Sequence, residues 1–121
     1  MKLAELRRRY SAKQRSLKVW KYLADHPEID MKQKLPKDIG ELVWKDTGSC
    51  PLCTLFHDHA HYCPDCPLSS ENVTCFTTGE PYALWEASKL LRYSYPEKAK
   101  EERVITALLV YYQIKEWKWW R

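Results

Sequence analysis

Between residues 3 and 25 the apolar side chains return at helical spacing. Leu3, Leu6, Tyr10, Leu17, Trp20 and then Leu23 or Ala24 fall near one face, and lysines and arginines fill the others. That pattern predicts one amphipathic helix, with a break near Tyr10–Ser11 as an alternative because Ser11 and Ser16 are weak helix formers. Pro27 closes it, since the residue before a proline is driven out of helical geometry. Pro36, Lys37 and Asp38 then open a short helix carrying Ile39, Leu42, Val43 and Trp44, which Gly48 ends. Pro81 suits the first turn of a third helix, PYALWEASKLLRYS, expected to bury Tyr82, Trp85 and Leu90 or Leu91. Ser94, Pro96 and Glu97 have the spacing of a capping box. The last helix is expected from about Pro96 onward, with Ala99, Val104, Ala107, Leu108, Tyr111 and Tyr112 toward the core. No internal repeat or hairpin signal is visible. The fold class expected is mainly α: a small single helical domain over residues 1–121 with a central, metal-stabilised four-cysteine loop.

That loop, residues 49–79, shows neither helical nor strand periodicity. Loops of this length are uncommon in compact domains unless something fixes them. The segment reads Cys50-Pro-Leu-Cys53, nine residues, then Cys63-Pro-Asp-Cys66. Two residues between cysteines let a tight turn aim both thiolates at one ion, and two such turns complete a tetrahedral shell. Each proline restricts its turn in advance. Four thiolates leave no open coordination position, so the metal expected is structural, with Zn2+ as the default and iron as the alternative that sulfur ligands alone permit.

Cys75 is the surplus thiol, either an alternative fourth ligand or a small apolar residue beside Phe76. His57, His59 and His61 alternate between the paired cysteines. They read as solvent-exposed loop histidines, with a weak second metal site, or displacement of one thiolate, as the alternatives. Buried thiols or disulfides are the other reading of the whole cluster. A thioredoxin-like redox pair fits worse, because such a pair opens a helix after a strand.

The order CPLC, CPDCPL, a later lone Cys75 and PYALWEASKLL, preceded by SLKVWKYLADHPEI, resembles a group of small phage-encoded zinc-binding proteins. Those proteins share two paired cysteines, a further single cysteine and a Pro-Tyr element. The resemblance covers most of the chain and implies a phage or prophage origin and a zinc-bound helical fold. Most members of the group have no assigned function, so it implies no activity.

Charge sharpens the functional reading. The formal net charge is +4, yet residues 1–26 hold eight Lys or Arg against two acids, and residues 46–88 hold six acids and no Lys or Arg. A zinc module that reads DNA usually carries basic residues beside the metal, and here phosphate would be repelled. No nucleophile–base pair suggests an enzyme. Six tryptophans and eight tyrosines supply interface anchors. In the segment KEWKWWR, Trp117, Trp119 and Trp120 cannot all face one core, so at least one is expected at the surface. The function expected is that of a non-catalytic binding protein. It would block a host protein or nucleoprotein, as an anti-CRISPR or other anti-defence factor does to an effector nuclease such as Cas9. Trp117, Trp119, Trp120, Arg7, Arg8 and Lys13 are the partner-binding candidates. The alternative is a nucleic-acid-binding regulator using the basic first helix, with Arg9, Arg15, Lys18 and Lys21 adding to its charge. A small-molecule substrate and a membrane are not expected. No secretory signal pattern or apolar span is visible, which points to the cytoplasm of a bacterial host.

Overall fold

The computed structural model describes residues 2–29, 35–42, 66–68 and 78–121. Its elements are α1 (Leu3–Asp25), α2 (Lys37–Gly40), α3 (Pro81–Ala87), a 3-10 helix (Ser88–Tyr93) and α4 (Pro96–Lys115). The fold is mainly α, and no strand occurs among the described residues. No described helix is long and apolar enough to cross a membrane.

α1 runs unbroken through Ser11 and Ser16. The Ser16 hydroxyl donates to the Ala12 carbonyl at 2.7 Å, so its polar group is satisfied within the helix and its small side chain is fully buried. Glu5 in the first turn suits the positive end of the helix dipole and pairs with Arg9 at 3.4 Å. At the other end His26 stacks on Tyr22 with ring centroids 4.0 Å apart, and its Nδ1 donates to the Tyr22 carbonyl at 2.9 Å. That bond satisfies a terminal carbonyl just where Pro27 stops the helix.

α1 and α4 lie antiparallel, since Lys13 meets the end of α4 while Pro27 meets its middle, where the Arg103 Nε donates to the Pro27 carbonyl. Both helices bury small residues: Ala12 and Ser16 on α1, Ala99, Thr106 and Ala107 on α4. Trp20 closes the core from α1 and meets Tyr82 and Trp85 of α3 edge-on, at centroid distances of 5.6 and 5.3 Å. The indole N–H of Trp20 finds no hydrogen-bond acceptor among the described residues, so the ring is held by packing. Gly79, with φ +94°, turns the chain into α3 in a conformation that favours glycine.

Several expectations are corrected. Leu3 and Tyr10 are exposed, 63% and 49%, because they lie off the line of Ala12, Ser16, Val19 and Leu23 that α1 buries. The third helix tightens to 3-10 winding at Ser88, and three residues per turn carry Leu90 outward (76% exposed) and leave Leu91 half-buried. Ser94 makes no capping bond, and the N-cap of α4 is Tyr95. On α4 the core positions are Ala99, Arg103, Thr106, Ala107, Val110 and Ile114. Val104, Leu108 and Tyr111 are half-buried, and Tyr112 is exposed. Two polar residues displaced the apolar stripe, each received by a backbone carbonyl: the Arg103 Nε donates to Pro27 and the Thr106 hydroxyl to Glu102 at 2.6 Å. Val43, Trp44 and Gly48 lie outside the described residues.

Candidate functional site

The first turns of α1 have as their neighbour the segment that follows α4. Its position is set by polar bonds to backbone. The Lys13 ammonium donates to the Lys115 and Trp117 carbonyls at 2.8 and 2.9 Å, which places a cation on the carbonyl end of α4. Arg9 adds a bond from Nη1 to the Arg121 carbonyl at 3.3 Å. A turn closes with the Arg121 N–H on the Lys118 carbonyl at 3.1 Å.

The three tryptophans divide as the crowding in KEWKWWR requires. Trp117 turns in and packs against the core. Trp119 lies half-buried, edge-on to Tyr10 at 5.2 Å. Trp120 stands out, 56% exposed and edge-on to Trp119 at 5.7 Å. Leu3, Leu6, Arg7, Tyr10 and Trp119 thus enclose an open surface groove of about 410 Å³. Its walls are almost wholly apolar. The only charged group in the lining is Arg7, and Arg8 is exposed one residue further on. A concave apolar surface of this size takes one or two large side chains, and the guanidinium favours an acidic neighbour beside them.

The partner candidates therefore separate. Trp119 and Arg7 form the groove, while Trp120 and Arg8 stand exposed nearby in sequence. Trp117 is half-buried against the core, and Lys13 is half-buried and engaged in holding the segment. Leu3, Leu6 and Tyr10 belong to the groove although their spacing reads as core; what distinguishes them is the segment after α4, whose return onto α1 is not contained in the periodicity along α1. The basic row is thinner than its residue count. Arg9, Lys13 and Arg15 are half-buried, while Arg7, Lys18 and Lys21 fall along the outermost line of α1.

Of the metal-ligand candidates, Cys50, Cys53, Cys63, the alternative Cys75, and His57, His59 and His61 lie outside the described residues. Cys66 is described. It is 7% exposed and belongs to the core cluster with Leu68, also buried, two residues on. A thiolate in apolar surroundings is costly unless something compensates its charge, and a bound cation does so. Cys66, the last of the four candidate ligands, thus meets the packed core, where a structural Zn2+ would offset its charge. Among the described residues no group of three or more His, Cys, Asp or Glu is placed to hold a metal.

No family model, no curated protein and no solved structure matches this chain.

Proposed function

We propose that this is a non-catalytic, zinc-stabilised binding protein of phage origin that blocks a host protein or nucleoprotein. The observation that carries the reading is the groove between α1 and the segment after α4, with Trp119 in its wall and Arg7 at its edge. Tryptophan, tyrosine and arginine are the residues most enriched among those that dominate interface energy, and the groove holds one of each. The groove also lacks the means for chemistry, because a guanidinium keeps its proton and cannot act as a general base. The partner surface that fits is an apolar anchor flanked by acidic residues. An effector nuclease such as Cas9 is the target class we favour. The acidic segment 46–88 suits its basic nucleic-acid channel, and the groove suits an acidic strip elsewhere on the same target.

Cys50, Cys53, Cys63 and Cys66 are the residues that would hold the zinc, which would neutralise their thiolates and tie the segment to the core through Cys66. In zinc-finger peptides such binding contributes roughly 10–16 kcal/mol at neutral pH, comparable with a whole domain's stability.

Purified effector nucleases test the function directly. The wild-type chain should be retained by one of them and inhibit its cleavage, and Trp119→Ala and Arg7→Glu should each lose at least about tenfold in affinity. Failure to bind or inhibit any effector removes the anti-defence reading. Metal analysis tests the zinc separately: about one ion per chain, lost together with helical content on Cys53→Ser. Unchanged metal content in that variant would sink the ligand assignment and leave the groove untouched. A nucleic-acid role keeps the exposed Arg7, Arg8, Lys18 and Lys21 of α1, so any binding to duplex or single-stranded DNA should fall steeply as salt rises.

A further inference from the structure

α4 presents a second unpartnered surface, on the side away from its buried residues. Ile105, Leu109 and Tyr112 are exposed there (54%, 46% and 52%), with half-buried Leu108 beside them. Their spacing of three and four residues makes one continuous strip along the helix, the pattern by which helices dock on other helices. Four charged residues frame the strip. Lys98 and Glu101 lie toward its start, Lys115 and Glu116 toward its end, and all four are exposed. None of the four takes part in an ion pair among the described residues.

We infer that this face of α4 pairs antiparallel with the same face of a second copy of the chain. The order of charges selects that occupant. A two-fold axis near residues 107–108 sets Ile105 opposite Leu109 of the other copy and brings the two Leu108 side chains together. The same axis brings Lys98 to Glu116 and Glu101 to Lys115 of the other copy, each pair formed twice. A parallel pairing would instead place every charge against its like. The charge sequence of the face is complementary to its own reverse, as an isologous interface requires. A partner of unrelated sequence has no need of that symmetry. Neither Ile105 nor Leu109 lines the groove between α1 and the segment after α4, so both surfaces could be occupied together.

One helix strip is smaller than a standard interface, so the dimer should form with a dissociation constant in the micromolar range. Sedimentation equilibrium of the full zinc-loaded chain over a wide concentration range should show reversible monomer and dimer. Leu109→Glu should weaken the dimer by at least about tenfold with unchanged circular dichroism. Lys115→Glu and Glu101→Lys should each weaken it several-fold. The double variant Glu101→Lys/Lys115→Glu should restore it, because the exchanged charges again face their opposites. That rescue also separates docking from any folding defect in Leu109→Glu. A wild-type chain that stays monomeric at high-micromolar concentration overturns the inference, even if a different protein binds the face. So does a double variant no better than its singles.

Discussion

Two aromatic clusters in this molecule share their ring geometry and differ in everything else. Trp20, Tyr82 and Trp85 meet at centroid distances of 5.3 to 6.5 Å and are 0–3% exposed. Tyr10, Trp119 and Trp120 meet at 5.2 and 5.7 Å, yet Tyr10 and Trp120 are about half exposed. The first lies where α1, α3 and α4 converge, so each ring is covered on every side. The second lies where α1 meets only the segment following α4, so ring faces are left over. Contact geometry therefore does not separate a buried aromatic from an exposed one; the number of elements converging on it does.

The largest effect expected from this contrast is at Trp85. Trp85→Ala removes a fully buried ring from the three-helix junction and should cost about 3–5 kcal/mol in chemical denaturation. In a domain of this size that approaches the whole stability. A loss below about 1 kcal/mol would mean that the junction relaxes freely, and the contrast with the groove would disappear.

Ser16 comes next, because it sits on the α1–α4 seam that positions both clusters. Ser16→Leu forces a larger side chain into a fully buried site and should cost about 1–3 kcal/mol. It should also reduce groove binding, since separating the helices moves Tyr10 from Trp119. Lost stability with groove binding unchanged would show that the groove is set by Lys13 and Arg9 alone.

The seam also marks where the fold was legible in the sequence and where it was not. Helices at 3–25 and from Pro96 onward were readable, because long runs of helix-forming residues bounded by prolines leave few alternatives. Helix faces were less so. Arg103 and Thr106 look like surface residues until the Pro27 and Glu102 carbonyls are seen to receive them. Leu3 and Tyr10 look like core until α1 is seen to bury a different line, through Ala12, Ser16, Val19 and Leu23. Both errors have one cause: burial depends on neighbours far away in sequence, and periodicity is local. Exposure of a tryptophan in KEWKWWR was legible for a different reason, steric crowding, which needs no tertiary information. Cys66 meeting the core does not follow from ligand spacing, which fixes the donors relative to each other and not relative to the helices.

Lys13 offers a finer test. Lys13→Met keeps the aliphatic stem and removes the ammonium that caps the end of α4. With the site only half-buried, the expected cost is about 1 kcal/mol, within the range for hydrogen bonds to charged groups after solvent competition. The loss should concentrate after α4, so amide exchange should accelerate at residues 117–121 and hardly change at residues 16–24. Uniform acceleration across the molecule would mean that this segment belongs to the same cooperative unit as the core.

The smallest effect on stability, and the one that bears most directly on the comparison, is at Trp120. More than half of its surface is already in water, and its one described ring contact is Trp119. Trp120→Ala should therefore change unfolding stability by no more than about 0.5 kcal/mol, the scale of ordinary surface substitutions. If the exposed cluster is a recognition surface, the same variant should still weaken partner binding severalfold, because an exposed indole next to the groove is worth more to a partner than to the fold. A stability loss above about 1.5 kcal/mol would place Trp120 among the structural aromatics. The two clusters would then differ in exposure alone, and the surface reading of Trp119 would fall with it.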